Sequence, residues 1–179
     1  MKQHHVFSFL QRMGKSFMLP IAVLPVAGIF LGVGSSLTNE TTIAALHLES
    51  VLGQGNFLYS VLILLKQVGK ILFDNLPLIF AVSIALGMSK RRKEVAALAA
   101  IIAFFVMHAT INALLCLDGS IVNGVVSGQA LDGSITWVCG MLSLEMGVFG
   151  GIIVGLGVSY LHNRFYQIQL PNVISFYEG

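Results

Sequence analysis

Long uncharged stretches separated by short polar segments dominate this chain. Four stretches share the absence of Asp, Glu, Lys and Arg: residues 17–37, 75–89, 95–117 and 147–161. The last run extends back to about Gly140, with Glu145 inside it. A helix needs about 20 apolar residues to cross a hydrocarbon core of roughly 30 Å. The pattern therefore predicts about four transmembrane helices, of which 75–89 is short unless the preceding helix contributes to its span.

Two further helices are predicted to lie along the membrane surface. Apolar residues recur at helical spacing over residues 6–17, which predicts a short N-terminal amphipathic helix before the first span. Polar residues at roughly helical spacing interrupt the apolar segment 57–74, which predicts an interfacial helix before the second span, or a tilted helix with snorkelling lysines. The expected fold class is thus an all-α integral membrane protein.

The sequence DNLP at residues 74–77 marks the junction between the interfacial helix and the second span. Pro77 lacks an N–H donor and disfavours α geometry at Leu76. Asp74 and Asn75 can cap the new helix by accepting hydrogen bonds from its unpaired N–H groups. These three residues therefore predict a helix break and cap at this point.

Composition and charge support the membrane assignment and give it an orientation. The 179 residues are 56% hydrophobic and 10% charged, whereas soluble domains carry about 25% charged residues. The mean hydropathy is +0.86. Basic residues gather at the ends of predicted spans, where they serve as topology anchors: Lys90, Arg91, Arg92, Lys93 and Arg164. Cytoplasmic loops carry such residues, so both termini are expected in the cytoplasm and nucleic-acid binding is not indicated.

Small residues recur every four positions on two of the predicted spans. Gly28 and Gly32 form one such pair, and Gly147, Gly151 and Gly155 extend the spacing over further turns. Within lipid, close backbone approach must supply much of the contact energy between helices. We favour packing within the chain, and a dimer surface is a compatible addition.

Few polar side chains lie inside the predicted spans. His108 and Asn112 share one face of the third span, where they either line a polar pathway or, as we favour, hydrogen-bond to a neighbouring helix. Cys116 and Cys139 bracket the following loop, and two free thiols are favoured over a disulfide. The sequence shows no catalytic constellation, no metal-ligand spacing and no glycine-rich phosphate cradle, so no catalytic, metal or cofactor site is expected.

Several long segments, taken together, resemble a known family. They are LQRMGKSFMLPIAVLPVAGIFLGVGSSL (10–37), FDNLPLIFAVSIALGMSK (73–90), EVAALAAIIAFFVM (94–107) and GVFGGIIVGLGVSYLHNRFYQIQLP (147–171). They are similar, in the same order, to the membrane-embedded IIC component of the bacterial phosphotransferase system. The closest resemblance is to its glucose/maltose/N-acetylglucosamine branch.

The resemblance implies a multi-pass sugar permease of the bacterial cytoplasmic membrane that works with a phosphorylated IIB domain. In that family the first half of IIC forms the scaffold and most of the dimer interface, and the later half carries most sugar-binding groups. Residues 1–179 are therefore expected to be a truncated IIC domain without the transport half. The segment SLEMGVFGG departs from the family's usual SLDTGVFGG at Glu145 and Met146, and neither cysteine has a IIB-like context.

Two function hypotheses follow from this resemblance. The first is a component of a glucose- or maltose-type phosphotransferase-system transporter, a truncated or split IIC that is inactive in sugar phosphotransfer by itself. The alternative is a non-transporting membrane scaffold that dimerises with, or modulates, a full-length permease. The expected partners are the lipid bilayer, a second copy or a full-length IIC, phosphorylated IIB, and a sugar only when the missing half is present.

Overall fold

The computed structural model describes residues 2–53, 55–128 and 130–166, and their side chains from residue 6 onward. The family-like ending of the last segment, residues 167–179, lies outside the described residues. The helices are α1 (Lys2–Leu37), α2 (Glu40–Ala45), α3 (Glu49–Leu52), α4 (Phe57–Asp74), α5 (Leu76–Met88), α6 (Lys93–Leu117) and α7 (Gly147–Phe165). The strands are β1 (Ile121–Val122), β2 (Val125–Val126), β3 (Ile135–Val138) and β4 (Met141–Leu144).

One continuous helix, α1, replaces the predicted amphipathic leader and first span. The helix runs without a break from Lys2 to Leu37, and within it the Ser16 hydroxyl donates to the Arg12 carbonyl at 2.9 Å. Pro20 and Pro25 also lie inside α1, although each removes one N–H donor from the hydrogen-bond ladder. The prediction of a separate N-terminal helix was therefore wrong.

Two of the described helices are long and apolar enough to cross a membrane, α1 over Val6–Leu37 and α6 over Lys93–Leu117. Helices α4 and α5 meet the same requirement only as a pair, so up to three spans are present if the pair counts as one. Helix α7 does not meet it, because residues 141–144 are a strand and its last turn is polar, with His162 and Arg164. The predicted count of four spans is not confirmed.

The helix break lies at Asn75, within the DNLP segment, because α4 ends at Asp74 and α5 begins at Leu76. The Asn75 side-chain amide donates to the carbonyl of Ile71 at 2.8 Å, so it stabilises the end of α4. Asp74 forms an ion pair with Lys70, one turn earlier. Pro77 is the second residue of α5, where a missing N–H costs little because the first-turn N–H groups of a helix lack intrahelical partners.

The chain divides into two compact units, and residues 18–76 form the smaller one. Its core contains Ile43, Leu52 and Leu62, one from each of α2, α3 and α4. Gly69 of α4 lies directly against α1, since a Cβ built there would be 2.8 Å from the carbonyl oxygen of Ala27. The absence of a side chain at this position therefore lets α4 and the later part of α1 approach closely.

The larger unit comprises residues up to 17 and from 77 onward. Small side chains lie where its helices meet, and Ala85, Ala96 and Ala100 of α5 and α6 have no exposed surface. A second cluster joins Ala81, Phe104 and Val154 from α5, α6 and α7. These three helices thus pack around two apolar clusters.

Two β-hairpins follow α6, so the all-α prediction was wrong in this region. Strands β1 and β2 are joined by Asn123–Gly124, and β3 and β4 by Cys139–Gly140. All four turn residues have positive φ, between 50° and 86°, which is typical of the two-residue turns that match the twist of paired strands. The run counted back to Gly140 as part of a membrane span is therefore the second hairpin.

Candidate functional site

The polar side chains inside α6 face strand β4. Nδ1 of His108 lies 2.7 Å from Oγ of Ser143, and the Asn112 amide donates to the carbonyl of Leu142 at 2.7 Å. His108 and Ser143 are almost completely buried, with 2% and 0% of their surfaces exposed. We call these four residues the polar clamp, because they join the second hairpin to α6.

The register of the hairpin brings both partners to α6. Ser143 pairs with Thr136, and Leu142 pairs with Trp137, in an antiparallel ladder that the Cys139–Gly140 turn closes. Leu142 and Ser143 are the two buried residues of β4. The tight turn therefore fixes which carbonyl and which hydroxyl the helix side chains meet.

The surroundings of the polar clamp decide what it can do chemically. A serine and a histidine at this distance resemble a nucleophile with its general base. The Ser143 hydroxyl is fully buried, however, and Phe104 covers the imidazole with ring centroids 4.6 Å apart. The Ser143 oxygen therefore has no exposed surface, and the pair joins α6 to the hairpin.

The expectation that His108 and Asn112 bond to a neighbouring helix was wrong about the partner, which is a strand. Sequence reasoning missed Ser143 and the Leu142 carbonyl because it placed them in a span. A signal for hairpins was present: Asn-Gly at 123–124, between pairs of apolar β-branched residues, is the strongest short-range indication of a two-residue turn. It would have shown that strands follow α6.

The predicted topology anchors surround the turn between α5 and α6. Asn163 of α7 accepts from the Lys90 N–H at 2.8 Å and donates to the Met88 carbonyl at 2.9 Å. His162 donates to the Arg91 carbonyl at 2.7 Å, which requires a proton on Nε2 because a carbonyl only accepts. The end of α7 thus fixes the backbone of this basic turn.

The remaining anchors lie beside those contacts. Arg92 has a left-handed backbone, with φ of 45°, and caps α6, of which Lys93 is the first residue. Arg164 in the last turn of α7 lies near the Tyr160 hydroxyl at 3.5 Å and the Phe165 ring at 5.8 Å. Basic residues from two separate parts of the sequence therefore meet at one end of the larger unit.

The glycines predicted to pack helices have different surroundings. A Cβ at Gly151 would collide with the carbonyl oxygen of Pro77, and one at Gly155 would lie 2.7 Å from the carbonyl oxygen of Ala81. Gly147, with φ of 50°, begins α7. Gly28 and Gly32 of α1 have no described neighbour within 4 Å of such a Cβ.

The acidic and thiol groups near the hairpins are not part of the polar clamp's hydrogen bonds. Glu145 is exposed just after β4. No disulfide joins Cys116 to Cys139, and burial raises the pKa of the Cys139 thiol. Within residues 2–53, 55–128 and 130–166, no three His, Cys, Asp or Glu side chains come together as metal ligands would.

Comparison with known proteins gives this architecture a family. The family model of phosphotransferase system EIIC matches residues 14–179. The chain is 38% identical over 174 residues to the PTS system glucose-specific EIICBA component of Staphylococcus saprophyticus, and 38% identical over 179 residues to the PTS system glucoside-specific EIICBA component of Staphylococcus carnosus. Each alignment covers 97% of this chain and 24% or 25% of the relative.

The chain thus spans about a quarter of the length of the curated relatives it matches. The family model covers most of the chain, including α5, α6, α7 and both hairpins. The resemblance read from the four sequence segments is confirmed at the level of the family. The chain therefore belongs to the phosphotransferase system EIIC family of bacterial membrane proteins.

Proposed function

We propose that this chain supplies the scaffold part of a glucose-type EIIC permease that acts with a phosphorylated EIIB domain. The family membership and the names of the glucose- and glucoside-specific relatives support a sugar-transport role. The proposed division of labour places sugar binding in a part of the permease beyond residues 1–179. Under this proposal the chain by itself neither transports nor phosphorylates a sugar.

The engagement of the intramembrane polar groups carries this proposal. The His108 ring nitrogen and the Asn112 amide are hydrogen-bonded to β4. A bound hexose must exchange several hydrogen bonds with water for bonds with protein, and each hydroxyl left unsatisfied costs about 1–3 kcal/mol. The described spans offer few other polar side chains, so a sugar site here would lack partners.

The packing of the larger unit suits a supporting role. Gly151 and Gly155 bring α7 against α5, and the polar clamp attaches the second hairpin to α6. These contacts are buried or partly buried, and they join elements far apart in sequence. A rigid body of this kind can hold the moving parts of a transporter in place, because packed cores deform little.

Sugar uptake tests the proposal. Cells without endogenous glucose permeases would express residues 1–179, with or without the remaining EIIC part of the S. saprophyticus relative. We expect uptake only when both pieces are present, since the second piece would supply the sugar site. Saturable uptake by residues 1–179 alone that is lost in His108→Ala or Asn112→Ala would contradict the proposal.

We also propose that both termini are cytoplasmic. Arg12 from α1, Lys90 from the α5–α6 turn and Arg164 from α7 line one common cavity, so these basic residues lie at one end of the larger unit. Basic residues favour the cytoplasmic side. This orientation requires α7 to cross the membrane as well, because Ser127 and Arg164 lie on either side of it. In a variant without the native cysteines, Arg91→Cys should react only with membrane-permeant reagents and Ser127→Cys with impermeant ones. The reverse labelling would invert the orientation.

A non-transporting scaffold that pairs with a full-length permease is the second candidate function. The open surroundings of Gly28 and Gly32, beside the exposed side chains of Ile29 and Val33, favour it. Such a face permits close approach of another helix. Coexpression with the full-length relative should then yield a mixed dimer and change its uptake rate in proportion to the amount of chain present. Copurification at the level of an unrelated membrane protein would exclude it.

A further inference from the structure

A cavity of about 810 Å³ lies at the end of α7 within the larger unit. Helix α1 contributes Ser8, Phe9 and Arg12 to its lining, and the α5–α6 turn contributes Met88 and Lys90. The residues from α7 are Leu156, Ser159, Tyr160, Asn163 and Arg164. We call this the basic cavity.

The charge of the basic cavity has one sign. Arg12, Lys90 and Arg164 are cationic, and none of the ten described residues that line the cavity is acidic. The one salt bridge between side chains of the described residues, Lys70–Asp74, lies in the other unit. Three cations that converge without an acidic lining residue repel one another, and a bound anion relieves this repulsion.

Two backbone carbonyls near the basic cavity are already hydrogen-bonded to side chains of α7. Helix C-termini expose carbonyl oxygens, which disfavour negative charge. Here the Met88 carbonyl accepts from Asn163, and the Arg91 carbonyl accepts from His162. Asn163 also holds the Lys90 N–H. His162 and Asn163 therefore occupy these carbonyls, and Asn163 also fixes the backbone of Lys90.

The remaining lining matches an amphipathic ligand. Phe9, Met88 and Leu156 supply an apolar wall, while hydroxyl groups of Ser8, Ser159 and Tyr160 lie among the cations. Helix α1, which contributes part of the wall, is long and apolar enough to cross a membrane. A ligand held here therefore meets cations on one side and apolar side chains on the other.

We propose that the basic cavity binds the phosphate group of an anionic phospholipid headgroup. Guanidinium groups bind phosphate through paired hydrogen bonds, and a lysine ammonium adds a point charge. Basic pockets between membrane helices bind such headgroups. The apolar wall favours a lipid over free phosphate, because free phosphate has no apolar part to bury.

Lipid retention measured by native mass spectrometry tests the proposal on the purified full chain. The probe is phosphatidylglycerol at a fixed ratio to phosphatidylcholine in the solubilising micelles. The cavity variant is Arg12→Gln, Lys90→Gln and Arg164→Gln together. The matched control is Lys15→Gln, Arg91→Gln and Lys93→Gln, which removes the same charge from outside the lining.

We expect the wild type and the control to retain phosphatidylglycerol, and the cavity variant to retain at least about tenfold less. If both triple variants lose phosphatidylglycerol retention equally, the proposal is overturned, since the lipid would then be attracted by net charge alone. Saturation by inorganic phosphate without retention of phosphatidylglycerol would also overturn it. If the triple variant does not fold, Lys90→Gln and Arg164→Gln are measured singly, and unchanged retention in both would refute the site.

Discussion

The glycines of α1 and α7 share a spacing but not a role. On α7, Gly151 and Gly155 lie against the backbone of α5. On α1, Gly28 and Gly32 have the same separation and no described neighbour, while Gly34, two residues further along, contacts α4. The small-xxx-small pattern therefore permits close approach without specifying a partner, and the face of the helix decides whether one is present.

The largest expected effect on stability is at Gly151, which lies against α5. A side chain at Gly151 collides with the Pro77 carbonyl, and backbone cannot move aside as a flexible side chain can. Gly151→Leu should lower the free energy of unfolding by about 3 kcal/mol. Gly157→Leu is the matched control, because nothing lies within 4 Å of a Cβ there. Thermal unfolding in nanodiscs, followed by circular dichroism, measures the stability of both variants. Equal unfolding midpoints would contradict the difference in packing between the two glycines.

The next test uses two faces of one helix. A Cβ at Gly34 would lie 2.7 Å from the Lys66 backbone nitrogen and 2.8 Å from the Leu62 carbonyl oxygen. Gly34→Leu should cost about 2 kcal/mol, whereas Gly32→Leu should change stability by less than about 0.5 kcal/mol. If Gly32→Leu destabilises the monomer as much as Gly34→Leu, the open face has been misassigned. Analytical ultracentrifugation in detergent shows whether Gly32→Leu instead weakens self-association.

The polar clamp sharpens the comparison, because it joins two elements through side-chain hydrogen bonds. Ser143→Ala removes the partner of a buried imidazole and should cost about 1–3 kcal/mol. Thr110→Ala is its control, since the Thr110 hydroxyl bonds to Val106 within the same helix. Chemical denaturation of both variants gives the difference between their free energies of unfolding. Equal stability would mean that the clamp contributes orientation without stability.

The smallest effect on stability is expected at Asp118, which is exposed outside the packed core. The exposed Asp118 carboxylate accepts from the Ser120 N–H at 2.8 Å, and this hydrogen bond lowers the pKa of Asp118. A depressed carboxyl pKa stabilises the fold above the pKa of the unfolded chain, and the contribution is lost as pH falls through the folded pKa. An NMR titration should give Asp118 a lower pKa than an aspartate in an unstructured peptide. Ser120→Pro removes the N–H donor and should raise the pKa of Asp118. A normal value in the wild type would contradict the contact.

The long apolar helices were readable from sequence because their signal is local and strong. The boundaries of α6 follow the uncharged run 95–117 within two residues, and the family resemblance was correct. The amphipathic residues 6–17 were wrongly predicted as a separate helix. They are part of α1, because an amphipathic segment and an apolar one can form a single helix without a break. The start of the fourth predicted span was placed too early, because average hydrophobicity over 140–161 cannot distinguish strand from helix in short apolar runs.

The amino-acid sequence by itself determined that the chain enters a membrane, where its long helices lie and where the chain breaks near Asn75, since these depend on side chains close together in sequence. Only the tertiary structure decided which partners the polar and small residues meet. His108 bonds to Ser143, 35 positions away, and Gly151 lies against Pro77. The physical reason is that a spacing fixes the face of an element, whereas the three-dimensional packing of distant segments fixes what that face contacts.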